Sequence, residues 1–323
     1  MEYLLLILGF VLLIKGADFF VDGSSSVAKI LKVPSIIIGL TVVAFGTSMP
    51  EMSVSVTAAL QGSNDLAVSN VLGSNIFNLL MVLGCCALMN PVCADESILK
   101  REFPFSIFIT LILLLLNSDF SVAKVLAGDE FFVLGRAGGI LLLMLFVMFL
   151  YATVQNALSA RKESNESALD DEYKVMSPLK SAIFIIGGLA GIVWGGDLVV
   201  ESASAIAKTF GWSQTFIGLT IVAIGTSLPE LVTSVVAAKK GENDLAVGNV
   251  VGSNIFNVLL ILGVSSVISP IRLDVSAVYD TLILVGASLF IYIVALTKRK
   301  ISRGEGVVCL FMYAAFFVYV LMR

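Results

Sequence analysis

Two glutamates directly follow a proline in otherwise apolar stretches, Glu51 in GTSMPE and Glu230 in GTSLPE. Each is preceded by a Thr-Ser pair, Thr47 and Ser48 in one stretch and Thr226 and Ser227 in the other. Further on, the segment GSNIFN occurs at Gly73 and again at Gly252. It sets Ser74 and Asn78, and likewise Ser253 and Asn257, one helical turn apart on a common face. Carboxylates, hydroxyls and amide oxygens make up the donor set of a hard cation. Calcium takes roughly six to eight such oxygens, and two carboxylates balance one divalent ion. Sodium uses the same hydroxyl and carbonyl oxygens, so several monovalent ions would compete with one calcium for shared ligands. Soft metals do not fit, because the chain has no histidine and no cysteine accompanies the carboxylates.

The prolines explain how backbone oxygens join the set. Pro50 has no N–H and its ring clashes with the carbonyl four residues back, which predicts a kink or opening between Gly46 and Pro50. Carbonyls of the 44–47 turn then need protein, water or an ion as partner, so broken helices at membrane depth line cavities. Pro229 repeats the device after Gly225. Gly73 and Gly252 predict close helix approach beside Ser74 and Ser253. Plainer roles exist for the same residues. A lone buried glutamate serves as a protonated structural group, and Ser74, Asn78, Ser253 and Asn257 serve as polar glue between helices. Asp65 and Asp244 read as helix-capping residues, Asp18 and Asp197 as interfacial ones, and the acidic stretch from Glu163 to Glu172 as a solvated connector.

The elements that position these groups are membrane spans. Of 323 residues 58% are hydrophobic and 14% charged, with a mean hydropathy of +1.00, and a helix needs roughly 20 apolar residues to cross the hydrocarbon core. Ten spans are expected, at about 2–22, 35–60, 65–90, 103–118, 131–153, 179–200, 214–239, 244–269, 277–297 and 305–322. Those from Phe103 and Ile140 are nearly pure Leu, Ile, Phe and Val and are expected to face lipid. The first span carries Glu2 in place of a basic start and lacks a cleavage site, so it reads as a retained helix, with mature numbering from Met1. Cys85, Cys86, Cys93 and Cys309 read as small hydrophobes. A net charge of −4 without a dense basic cluster excludes nucleic acid as a partner.

The chain is also internally duplicated. Residues 39–84 recur as 218–263 at a constant offset of 179, with 31 identities in 46 positions. Gly16, Asp18, Ser25, Ala28 and Lys29 match Gly195, Asp197, Ser204, Ala207 and Lys208 at the same offset. The expected organisation is a first five-helix repeat over 1–158, a linker over 159–178 and a second five-helix repeat over 179–323. An odd number of spans per repeat inverts the second copy in the bilayer, the arrangement of many secondary transporters. Two facing half-sites then form one cage at the midplane. Counting loop Lys and Arg gives 14 on one side (29, 32, 100, 101, 161, 162, 174, 180, 239, 240, 298, 299, 300, 303) and 5 on the other (124, 136, 208, 272, 323). By the positive-inside rule both termini lie outside and the linker is cytoplasmic, in a multi-pass protein of the cell's inner membrane.

On GTSMPE/GTSLPE and SNVLGSNIFN/GNVVGSNIFN, the sequence resembles the alpha-repeats of the cation/calcium exchanger superfamily, in its prokaryotic sodium/calcium exchanger (YrbG-like) branch. The resemblance covers the whole ten-span layout. It implies an all-α antiporter of ten helices whose second, third, seventh and eighth spans carry the ion sites while the first and sixth slide across them. It implies Glu51 and Glu230 as central calcium ligands, with Thr47 and Thr226 contributing backbone carbonyls. Ser48, Ser74, Ser227 and Ser253 would serve sodium, and Asn78 and Asn257 would lie at the central polar position. Some relatives, the potassium-dependent exchangers among them, have aspartate where this chain has Asn257, which argues against potassium co-transport. Proton-coupled relatives have asparagine where Pro50 and Pro229 stand, which favours sodium coupling. The long regulatory calcium-binding domains of animal exchangers have no counterpart in a linker this short.

The expected function is sodium/calcium antiport by alternating access, with calcium and sodium as cargo, no cofactor and no obligatory protein partner. Calcium/proton exchange is the alternative. A cation channel fits less well, since channels assemble rings around an axis whereas this chain completes its own pair. An intramembrane enzyme lacks a nucleophile–base pair.

Overall fold

A computed structural model describes residues 1–93, 98–116, 132–166, 176–212, 217–273 and 275–322. They form a helical membrane-type protein. The first helix, α1 (Glu2–Leu31), ends where Lys32 takes a left-handed conformation (φ 56°) and its N–H closes on the carbonyls of Ala28 and Lys29. Pro34 then starts α2 (Ser35–Thr47), which is followed by α3 (Met49–Leu60) and α4 (Leu66–Met89). Beyond these come α5 (Phe103–Leu115), α6 (Arg136–Glu166), α7 (Pro178–Thr209), α8 (218–225) and α9 (Leu228–Lys239). The chain ends with α10 (Asn243–Ile268), α11 (Val275–Lys298) and α12 (Arg303–Met322).

Seven of these helices are each long and apolar enough to cross a membrane, and α2 with α3, bent by 49° at Ser48, makes an eighth. The described part of α5 has 13 residues, α9 has 12, and α8 is a short piece ahead of it. The helix break falls at Ser48, within the Gly46–Pro50 interval that the proline suggests. Ser48 still donates its N–H to the Ala44 carbonyl, at 3.0 Å, so that carbonyl is not left free. Pro50 lies in the first turn of a new helix, where its missing N–H costs nothing. Pro229 opens α9 in the same way, after Ser227.

The helices divide into core and wall. In α4 and α10, 78% of the apolar stretch is buried, against 28% in α6 and α7. The lipid-facing expectation holds for α6. In α5 it holds only for the stripe Phe108, Leu111 and Leu115, since Ile109 and Leu113 on the other face are buried. Helix α6 continues eight residues past 158 into the expected linker, and 167–175 lie outside the described residues.

Two short antiparallel pairs tie the loops: β1 (Val92–Cys93) to β4 (Lys300–Ile301), and β2 (Phe132–Leu134) to β3 (Ile271–Leu273). Val92 and Ile271 are equivalent positions of the duplication, so the two pairings reproduce each other. At the Lys29 end of α1, Lys240 of the α9–α10 turn reaches Asp22 at 2.7 Å and Asp18 at 3.5 Å, while Glu242 pairs with Lys29 at 3.8 Å and accepts from the Ser25 hydroxyl.

Helices α1 and α7 pack antiparallel along glycines. A Cβ on Gly16 would come within 2.7 Å of the Gly188 carbonyl oxygen, one on Gly195 within 2.6 Å of Leu13 N, and one on Gly23 within 2.9 Å of the Ser181 oxygen. Gly9, Gly16 and Gly23 recur every seven residues, a spacing that keeps one small-residue stripe against the partner. Gly188→Ala, whose Cβ would lie 2.5 Å from Phe20 N, should lower the thermal midpoint of the detergent-solubilised protein by about 3–6 °C. Gly187→Ala, with open space around it, should not. Equal midpoints for the two variants would contradict backbone contact between these helices.

Candidate ion site

Four segments converge on one buried polar cluster: the α2–α3 break, the α8–α9 break, and the middles of α4 and α10. Glu51 and Glu230 each lie in the first turn of the helix that follows a break, where unpaired N–H groups and the helix dipole favour a carboxylate. Both are fully buried. Ser74 and Ser253 come from the α-helical part of α4 and α10. Asn78 lies at residues 77–82 and Asn257 at 257–261, where these helices widen into π-type turns. Such turns in long helices are frequent at functional sites.

The hydrogen bonds cross between the two copies. Ser227 Oγ donates to Glu51 Oε1 at 3.0 Å, and Ser48 Oγ donates to Glu230 Oε1 at 3.1 Å. Ser74 and Ser253 reach the same two oxygens at 3.5 and 3.4 Å, each on the glutamate of its own copy. Ser227 Oγ lies 3.0 Å from Ser74 Oγ, and Thr47 Oγ1 lies 3.4 Å from Ser253 Oγ. What remains is as informative. The second carboxylate oxygens, Glu51 Oε2 and Glu230 Oε2, and the amide oxygens Asn78 Oδ1 and Asn257 Oδ1 are buried without a hydrogen-bond partner. None of the ion pairs among the described residues involves either glutamate. Four unsatisfied oxygens, two of them on carboxylates, are what a hard cation would satisfy.

All ten residues singled out from the sequence thus fall in or beside one cluster. Thr47 is fully buried; it donates to Asn249 Oδ1 at 3.0 Å and lies 3.4 Å from the Ala44 oxygen. Thr226 is only partly buried and lies 3.5 Å from Asn70 Oδ1. Gly252 permits close approach as expected, since a Cβ there would lie 2.8 Å from Leu40 Cα and 2.7 Å from Ala44 Cβ. Gly73 does not: nothing lies within 4 Å of the corresponding point. Helix α2 presses on α10, whereas α8 stands off α4. An apolar cavity of about 390 Å³ borders α8, lined by Val199, Val200, Thr220, Ile221, Ile224 and Leu228 among others.

Six further residues belong to the network. Asn70 donates to Ser55 Oγ at 3.0 Å and to the Glu51 carbonyl at 3.3 Å, and Asn249 donates to Ser234 Oγ at 2.9 Å. Asn75 and Asn254 bond to each other across the copies. All six recur unchanged at the 179-residue offset, which was the available signal. Outside the cluster, Asp18 makes the interfacial ion pairs described above and Asp244 sits in the first turn of α10. The side chains of Asp65 and of Glu163 to Glu166, and residues 167–172 altogether, lie outside what is described. Among the described residues no group of three His, Cys, Asp or Glu forms a metal cluster. The described cysteines are free thiols away from the site.

A helical membrane protein with a buried, oxygen-lined cage shared by two copies of one motif defines a cation-handling class, and the chain belongs to the sodium/calcium exchanger protein family, whose model matches residues 1–155 and 180–322. Inner membrane protein YrbG of Escherichia coli is 37% identical over 311 residues, covering 94% of this chain and 91% of that one. The sodium/calcium exchanger MaX1 of Methanosarcina acetivorans is 33% identical over 341 residues, covering 98% and 97%. Among solved structures, the sodium-calcium exchanger NCX_Mj superposes with a TM-score of 0.81 at 31% identity, over 97% of both chains.

Proposed function

We propose that the protein exchanges sodium for calcium across the membrane, binding either cargo in the single cage between the two copies. The observation that carries this reading is the pair of buried glutamates, each held through one oxygen by a serine of the opposite copy and each with its other oxygen unpartnered. Glu51 Oε2, Glu230 Oε2, Asn78 Oδ1 and Asn257 Oδ1 would hold calcium. The hydroxyls of Ser48, Ser74, Ser227 and Ser253, with oxygens of Thr47 and Thr226, would take sodium through the same carboxylates. Sharing ligands makes the two cargoes exclude each other, and an empty pair of carboxylates at membrane depth disfavours crossing without cargo.

The architecture we infer is ten spans, with α2–α3 and α8–α9 each counted as one broken span and α5 as a short one, in two inverted repeats. The domain division is 1–158, 159–178 and 179–323, with the motifs at 39–84 and 218–263. The recurrence of the four serine–glutamate hydrogen bonds at equivalent positions supports a two-fold relation between the copies. With both termini outside and the linker cytoplasmic, in the cell's inner membrane, α8 occupies the outer half of the bilayer. Its standing off from α4 then corresponds to an outward-open arrangement. In the alternate arrangement α8 would close on α4 as α2 closes on α10 here.

Proteoliposomes loaded with sodium should take up calcium-45, and identical vesicles loaded with choline should not. Glu51→Gln and Glu230→Gln should each abolish that uptake while the protein still purifies as a folded species. Uptake that follows an imposed pH gradient in place of sodium would move the protein to calcium/proton exchange, and full transport by either variant would sink the assignment of the cage. Alternating access has its own test. Gly73→Ala is accommodated in the present arrangement, where an added Cβ meets nothing within 4 Å, but would obstruct closure of α8 on α4, so it should slow transport by about tenfold or more without lowering the thermal midpoint. Wild-type turnover by Gly73→Ala would contradict that closure.

A further inference from the structure

The two central asparagines, Asn78 and Asn257, present their amide oxygens unpartnered inside a fully buried cluster. An amide can be turned end for end at little steric cost, and a turned amide would offer N–H groups to the space where a cation belongs. Something must fix the orientation.

The fixing groups are Asn75 and Asn254, the third residues of the two GSNIFN segments. Asn75 Nδ2 donates to the backbone carbonyl of Asn254 at 3.3 Å, and Asn254 Nδ2 donates to the backbone carbonyl of Asn75 at 3.4 Å. A backbone carbonyl only accepts, and a packed helix holds it in place, so each of these amides has its nitrogen end fixed. Their oxygen ends then point the other way and require donors. Asn257 Nδ2 donates to Asn75 Oδ1 at 2.9 Å, and Asn78 Nδ2 donates to Asn254 Oδ1 at 3.2 Å. With its nitrogen committed, each central asparagine has only its oxygen left to turn toward the cage. The orientation is therefore set by a relay that begins at an immovable carbonyl. The relay runs crosswise, since Asn75 orients Asn257 of the other copy and Asn254 orients Asn78.

We infer that Asn75 and Asn254 are positioning residues that hold the Asn257 and Asn78 carbonyl oxygens toward the ion, each acting on the opposite copy. This rests on the cage reading above. It also gives the ion a means of sensing both copies at once, because the Asn75–Asn254 pair joins α4 to α10 at the level of the ligands. Hydrogen-bond partners of ligands, removed singly, cost about 10–100-fold in affinity for a bound metal.

The experiment is a double-mutant cycle on the apparent KM for calcium, measured as sodium-dependent calcium-45 uptake in proteoliposomes. Asn75→Ala should raise KM by about tenfold with the maximal rate largely kept. In an Asn257→Ala background the same change should add almost nothing, and in an Asn78→Ala background it should add in full. A residue that only supports the helices would shift both backgrounds equally, and that result, or an unchanged KM in Asn75→Ala, would overturn the inference. If Asn75→Ala is not recovered folded, Asn254→Ala tests the mirror relay with the two backgrounds exchanged. Asn257→Ala separates the levels: no effect of that change on KM would remove Asn257 from the cage itself, whereas an effect of Asn257→Ala without one of Asn75→Ala would remove only the relay.

Discussion

Two carboxylates buried in one cluster, with no cation paired to them among the described residues, constrain everything around them. A charge taken out of water is costly unless it is paired and hydrogen-bonded, and two like charges make matters worse. Here Glu51 and Glu230 each receive serine hydroxyls on one oxygen and a helix N-terminus behind, and each keeps the other oxygen open. The protein thus stabilises the pair partway, and under the proposed function the remainder falls to a cation. The helix breaks, the π-type turns, the crosswise serines and the asparagine relay all follow as means of bringing oxygens to that point.

The duplication supplies those means economically. A single set of residues, used twice at an offset of 179, provides both halves of the cage, and each half is completed by the other. Ser227 serves Glu51, Ser48 serves Glu230, and Thr47 meets Asn249 as Thr226 meets Asn70. Chemical symmetry is nearly complete while packing symmetry is not. Gly252 lies under α2, its counterpart Gly73 faces open space, and Thr47 is enclosed where Thr226 is half open. Under the alternating access proposed above, the two halves would exchange environments without exchanging chemistry, and this asymmetry is the pattern it predicts.

Much of this was legible in the sequence, for a definite reason. Intramembrane Glu, Ser, Thr and Asn are costly enough in lipid that their presence suggests function, and finding them twice picked out residues that the structure gathers in or beside one buried cluster. The span pattern identified a helical membrane protein through apolar length. What could not be read depends on packing. Pro50 has one reading as a kink and another as the start of a new helix, and only the tertiary structure places the break at Ser48. Gly73 and Gly252 are identical in sequence context yet differ in what lies against them. The face of Phe103–Leu115 that is buried depends on neighbours that its uniform apolar sequence does not name. Asn75 and Asn254 were in view inside the motif, but their role requires knowing that the two segments meet.

The central claim is that the two copies build one cation site and not two. Equilibrium binding of calcium-45 to the purified protein, with and without excess sodium, tests it most directly. The account predicts a single calcium ion per chain, displaced by sodium, with binding lost altogether in either Glu51→Gln or Glu230→Gln. Two calcium ions per chain, or half of the binding surviving in each single variant, would contradict a shared cage.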